Sequence, residues 1–440
     1  MDILRTLLLI LAIGVLACVG GPASAQPWPP SSIPEPEPDM VPWGPRDRDA
    51  YRERDEYAER RASGAAAQLW LLEQALDRYR EIERRGGWKK VPTDLSMGPP
   101  YSYDCRRIEM LEDRLLAEGY LRRRSTPPPP PPVPMPPAGN PPRPVAPPPP
   151  PEPLGQGGPC EYGRTLADAV RAFQKDRKVL GDGQVGALTF AELNRPVGEI
   201  VDILEQDVER WRDVSLDPSG TYLLVNIPFF ELIAYERGRE ALRMPVIVGL
   251  PTWQTPLFSD ELEHIIVNPD WGIPDTIAKS EIWPLQKRDP NYFKREGITG
   301  GEGGLRQKPG PRNPLGRIKF MMPNKYNVYL HDTPHKKAFN AAVRALSHGC
   351  IRLSQPIELA TYLLRDSEWS PRRLQAAISS GRTQRINLPQ HMPVHIIYST
   401  SRVNEDGRVE LRPDVYRKNR RSHRPPPPVE RMGEEIDVGP

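Results

Sequence analysis

Between Pro127 and Pro153 the chain carries eighteen prolines in 27 residues. No other stretch constrains the fold as much. Proline has no amide hydrogen to give to a helix or a sheet ladder, and its ring holds φ at about −65°. A tract this dense favours extended polyproline geometry and could span up to ~80 Å at about 3.1 Å per residue. It is expected to carry no packed structure and to act as a spacer between an N-terminal and a C-terminal part of the chain, with docking in a partner's aromatic groove as the alternative. The 56 prolines of the 440-residue chain cluster. Its 38% hydrophobic content is therefore an average over apolar-rich domains and apolar-poor connectors, and the length leaves room for two or three domains.

Residues 1–25 read as an export signal. Leu7 to Val19 is a 13-residue apolar run without a charge, preceded by Arg5 and followed by Ala23-Ser24-Ala25 as a small-residue cleavage site. Such a run is short for a membrane span, which takes about 20 residues. Cleavage after Ala25 would leave the mature chain in the periplasm, touching the membrane only during export. Val15-Leu16-Ala17-Cys18 is similar to a lipoprotein signal, so lipidation at Cys18 is the alternative. With 60 basic and 57 acidic residues, a net charge of +3, the balance argues against a dedicated nucleic-acid binder.

The rest divides by texture. Residues 26–64 pass from proline-rich to mixed charge, with no face to bury, and read as a linker. Leu69, Leu72, Leu76 and Tyr79 recur at helical spacing up to Gly86-Gly87, and Ile108, Leu111, Leu115 and Leu116 up to Gly119. These predict a two-helix scaffold over 65–125, followed by the linker 126–157. In 158–197, Leu166, Ala169, Val170 and Phe173 form an apolar helical stripe before the turn Asp182-Gly183-Gln184-Val185-Gly186. That string resembles the peptidoglycan-binding module of three short helices, although the same positions serve a helical core equally well. A connecting helix is expected over 198–216. From 217 to 417 short strands follow one another, among them Tyr222–Asn226, Met244–Val248, His264–Val267 and Asn327–His331, with helices over 355–380. His395–Tyr398 and Val409–Leu411 are expected to close with a hairpin, and 418–440 to be a disordered tail. The expected class is multidomain α+β: a mainly antiparallel β sandwich or barrel with a few helices, beside small all-α units.

Signal cleavage leaves Cys105, Cys160 and Cys350. An oxidising compartment pairs thiols. Cys105 and Cys160 flank the proline tract and are consecutive, which makes them the expected disulfide. Cys350 remains in Ser347-His348-Gly349-Cys350-Ile351-Arg352-Leu353, either as an inert buried thiol or as a nucleophile. A free thiol is mostly protonated at neutral pH and needs a base beside it. His331, His335 and His348 lie within twenty residues of it. With Cys350 they would also be enough in number for a zinc site, but Pro334 breaks the helix that would put His331 and His335 on one face.

The segment Val328 to Leu353 is similar to the signature of the L,D-transpeptidases, which joins a His to a Ser-His-Gly-Cys motif. Asn268-Pro269-Asp270-Trp271-Gly272-Ile273-Pro274 and Arg306 to Phe320 also resemble the large periplasmic members of that family. The resemblance covers about 217–415. It implies Cys350 as nucleophile, His331 as proton acceptor and donor, and the backbone N–H groups of His348, Gly349 and Cys350 as an oxyanion hole. His348 is the competing base. Asp332 would orient the imidazole through its backbone carbonyl or its carboxylate. Arg352 would hold a substrate carboxylate or form a structural salt bridge. Ser347 belongs to the motif, and Tyr329 and Trp271 are either cleft walls or core. The implied reaction is transfer of a tetrapeptide stem through a Cys350 thioester, with release of D-alanine and formation of a 3→3 cross-link in peptidoglycan. It calls for no metal and no nucleotide cofactor. The acceptor stays open between a second stem, a lipoprotein lysine and a free D-amino acid, and a non-catalytic wall-binding protein is the remaining alternative.

Overall fold

The computed structural model describes residues 65–122 and 159–420, apart from Pro218 and residues 302–303. The expected signal sequence with Cys18, the linker 26–64, the whole proline tract and the tail beyond Arg420 lie outside the described residues.

The first helix, Ala65–Arg84, buries Leu72, Leu76 and Tyr79 along one stripe. It ends where Gly86 and Gly87 take positive φ and Gly87 N–H donates to the Ile82 carbonyl at 2.9 Å. Its partner is the helix Val197–Arg212. The pair covers Tyr222, Leu224 and Ile397 of the large sheet and the hairpin residues Val403, Val409 and Leu411. The second helix, Cys105–Ala117, packs instead with Arg164–Asp176 and Ala187–Leu193, sharing the core of Ile108, Leu115, Leu166, Val170, Phe173 and Leu193. The two helices grouped as one scaffold over 65–125 thus serve two cores. An apolar stripe says that a helix has a face to bury, and not against what.

The strands in chain order are β1 (Ser102–Asp104), β2 (Pro159–Glu161), β3 (Thr221–Asn226), β4 (Glu231–Glu236), β5 (Arg239–Gly249), β6 (Phe258–Val267), β7 (Trp271–Ile273), β8 (Ile298–Gly301), β9 (Gly304–Gln307), β10 (Ile318–Met321), β11 (Leu330–His331), β12 (Ala345–Ser347), β13 (Ile351–Leu353), β14 (Gln384–Ile397), β15 (Ser401–Val403) and β16 (Val409–Leu411). β1 and β2 pair beside the bond that joins Cys105 to Cys160. The large sheet runs β12-β5-β13-β11-β10-β6-β14-β3-β4, and β4 pairs back onto β5, so the ladder closes on itself. Leu223, Val225, Val246, Ile318, Phe320, Leu330, Ile351 and Leu353 point into the enclosed core.

Three of these pairings are parallel: β11 with β13, β12 with β5, and β14 with β3. The domain is therefore mixed α/β around a large sheet, less uniformly antiparallel than the spacing of strands suggests. Alternation of apolar residues fixes which face is buried but carries no sign for strand direction. The terminal hairpin also differs from expectation. β16 pairs with β15, and His395–Ile397 belong to the long strand β14 beside β3 and β6.

Between β6 and β10 the chain builds an insert. β7, β9 and β8 form a three-stranded sheet. A helical run over 275–288, with a π-turn at Ala278–Ile282, and the helix Tyr292–Glu296 complete it. Trp271, Ile273, Ile277, Ile282, Ile298 and Leu305 make a small core of its own, against which Tyr329 packs.

Candidate active site

Alternation along β10, β11 and β13 sorts the side chains. Ile318, Phe320, Leu330, Ile351 and Leu353 enter the enclosed core. Lys319, His331 and Arg352 take the opposite face, because Lys319 pairs with His331 and His331 with Arg352 across the ladder. The insert roofs that face, so His331 and Arg352 are buried although they point away from the core. Tyr329 and Cys350 each precede this row by two residues and lie side by side: the Tyr329 carbonyl accepts from Ile351 N–H at 3.1 Å.

Cys350 is a free cysteine that keeps part of its surface open. Its sulfur lies 4.0 Å from the carbonyl of Asn327. Asn327 adopts positive φ in a turn organised by Asn324, whose Oδ1 accepts from Tyr326 and Val328 N–H at 3.0 and 3.2 Å. Burial pushes the thiol above its ordinary value, against the opposing pull of hydrogen bonds from Tyr329 and of the charges on Lys319 and Arg352.

The loop that carries Cys350 is pinned from several sides. Ser347 Oγ donates to the Cys350 carbonyl at 2.6 Å and accepts from Gly349 N–H at 3.2 Å. Gly349 has φ of +111°, a conformation that favours glycine. Its carbonyl accepts from Thr255 Oγ1 at 2.8 Å, and Thr255 Oγ1 accepts from Gly249 N–H at 2.9 Å. Tyr416 closes the brace, its hydroxyl donating to the Gly249 carbonyl at 2.6 Å. Ser347 Oγ thus engages the Gly349 N–H, one of the three main-chain groups expected as oxyanion donors.

His331 Nδ1 donates to the Asp332 carbonyl at 2.6 Å. The Asp332 carboxylate turns elsewhere, accepting from Arg317 N–H at 2.8 Å and pairing with Lys336 at 2.6 Å. Of the two orienting groups open in the sequence, the carbonyl is the one on the ring. Burial, with Arg352 next in effect, holds His331 at about 3, so the imidazole is neutral over the whole physiological range.

His348 sits apart from this row. Its Nε2 pairs with Glu281 Oε1 of the π-turn at 2.8 Å, and its ring meets the edge of Trp253 at 5.3 Å between centroids. Arg352 is buried, which lowers it to about 10, while the charges of Cys350 and Glu281 act to hold its proton. Tyr329 lies 5.6 Å from the His331 ring and faces the thiol, whereas Trp271 is part of the insert's core. Among the described residues no three His, Cys, Asp or Glu side chains converge to hold a metal ion. Lys319, Glu281 and Thr255 are not singled out by the sequence. The one available signal is for Lys319, a charge between Ile318 and Phe320 in a strand that the insert covers.

Residues 220–396 match the family model described as the L,D-transpeptidase catalytic domain, YkuD. A Haemophilus influenzae protein named provisionally as an L,D-transpeptidase is 32% identical over 238 residues, which is 49% of this chain and 48% of that protein. The chain thus spans about half the length of the curated relative it matches. Among solved structures, an L,D-transpeptidase from Xylanimonas cellulosilytica is 16% identical, covering 70% of this chain and 98% of that one at a TM-score of 0.21. L,D-transpeptidase 3 from Mycobacterium tuberculosis is also 16% identical, covering 40% and 60% at a TM-score of 0.22. TM-scores this low carry no weight for the fold. The sequence match does carry weight, and it falls on the strands and loop just described: residues 220–396 are similar to the YkuD-type L,D-transpeptidase catalytic domain.

Proposed function

We propose that the protein cross-links peptidoglycan stems in the periplasm, using Cys350 as nucleophile and His331 as the proton carrier. The observation that supports this reading is an unbridged, partly open thiol just before β13 and a neutral, buried imidazole held by the Asp332 carbonyl on the neighbouring strand β11. Both groups begin uncharged, so the reaction starts with general-base transfer rather than from a preformed ion pair.

In the first half, Cys350 Sγ attacks the carbonyl of the third residue of a tetrapeptide stem while its proton passes to His331. The oxygen that becomes negative is met by the main-chain N–H groups of His348 and Cys350. The C–N bond to the terminal D-alanine breaks, and His331 returns the proton to the departing amine. In the second half, the side-chain amine of another stem's third residue attacks the thioester. A C–N bond forms, the C–S bond breaks, and the proton lost by the amine reaches the sulfur by way of His331. Arg352, charged and beside the thiol, is suited to a carboxylate of the stem. The helical unit over 158–197 would hold the polymer near the site.

The test is mass spectrometry of the purified protein with tetrapeptide stems. A mass increase on Cys350 with release of D-alanine, absent in Cys350→Ala, is the expected result. A folded wild-type protein that gains no adduct would end this reading. An adduct whose product carries a lipoprotein lysine or a D-amino acid would keep the thioester and reassign the acceptor.

A further inference from the structure

Lys319 is a half-buried lysine whose ammonium sits 3.6 Å from the centroid of the Tyr329 ring. It stands on β10, opposite His331, on the face that the insert covers. A lysine in such a place usually finds a carboxylate, since burial disfavours its charge. Here no carboxylate of the described residues figures among the charges acting on it, and the one partner that favours its proton is the Cys350 sulfur. The groups around it are the Tyr329 phenol, which hydrogen-bonds the same sulfur, the imidazoles of His331 and His264, and, across the thiol, Arg352 with Glu281 beyond it. A ring face attracts a cation without neutralising it. The only group in this set that gains a full negative charge during acyl transfer is the thiol.

We propose that Lys319 supplies the positive field that stabilises the Cys350 thiolate as its proton leaves for His331. This deepens the reading of Cys350 as nucleophile and rests on it. Two features favour Lys319 over Arg352 as the source of that field. Arg352 also feels Glu281, so part of its charge is already answered. Lys319 lies against the phenol that touches the sulfur, and so shares the sulfur's immediate surroundings.

The test is the pH profile of Cys350 alkylation by iodoacetamide in the full chain, comparing wild type with Lys319→Met and Lys319→Arg. Methionine keeps the stem against the Tyr329 ring and removes the charge. Each unit of rise in the thiol's pKa makes the thiolate ~10-fold scarcer below that pKa. Lys319→Met should therefore shift the profile by about one unit to higher pH and slow alkylation ~10-fold at pH 8. Lys319→Arg should restore most of the rate. A folded Lys319→Met protein with the wild-type profile would overturn the proposal. So would an unchanged profile accompanied by a raised KM for stem peptide, which would assign Lys319 to substrate binding. If Lys319→Met does not fold, the reciprocal measurement decides. By linkage, the Lys319 ammonium observed by NMR of labelled lysine should titrate at lower pH in Cys350→Ser than in wild type, and equal titration would refute the idea. Alkylation needs no stem peptide, so this result and the acyl-enzyme result can fail separately.

Discussion

At the scale of single residues, the pH behaviour of the site follows from what surrounds His331. An imidazole at its ordinary value of 6.5 would lose half its base form there, but His331 is held at about 3 by burial and by Arg352. The acid limb of kcat/KM should accordingly lie below pH 5, and a pH–rate profile with its midpoint near 6.5 would contradict the assignment. The sign for stability is the same. The unfolded chain takes up a proton on this histidine at 6.5 and the folded chain only near 3, so its contribution is present above 6.5 and fades as pH falls through that window. Cys350 and its Gly349 neighbour are legible in the sequence because the string itself carries the marks of a nucleophile: a thiol left without a partner, a glycine before it and histidines close by. The choice between the carbonyl and the carboxylate of Asp332 is not legible, because both hang from one residue and only the course of the loop decides. Lys319 escapes notice for a related reason. A lysine between two core residues reads as a solvent-facing position until something is known to cover it.

At the scale of elements, the insert over 271–315 is held to the loop that carries Cys350 by side-chain chemistry as well as by packing. Glu281 reaches His348 from a π-turn, a helix irregularity of a kind often found at functional sites. Both side chains keep some exposure, so the pair contributes little to global stability. Glu281→Ala should leave unfolding within about 1 kcal/mol of wild type while lowering kcat several-fold. Melting and turnover measured on one preparation will check this, and a rate loss no larger than the stability loss would make Glu281 an ordinary surface contact. Strand positions such as Tyr222–Asn226 and Met244–Val248 can be read from β-branched runs and their punctuation. Pairing partners cannot. The parallel neighbours β11 and β13 are separated by nineteen residues that include β12, and nothing local to either announces its neighbour.

At the scale of the molecule, the helical units and the β15–β16 hairpin meet around a buried charge cluster. Glu118 accepts from Tyr79 and Arg177 and pairs with Arg114 at 2.6 Å, and Arg177 donates on to the Val409 carbonyl of β16 at 2.5 Å. Burial pushes the Glu118 carboxyl up, but Arg177 and Arg114 outweigh it and hold the group at about 2. Glu118→Ala would strand two enclosed guanidinium groups and should cost about 3–5 kcal/mol in chemical denaturation. Loss of under about 1 kcal/mol would mean that water reaches the cluster. The disulfide nearby has a different consequence. Cys105 and Cys160 bracket the proline tract, so a protease that cut the connecting segment would leave both fragments joined through sulfur. Such nicked material should migrate as one band without reductant and as two with it, and could therefore pass unnoticed through a preparation judged intact.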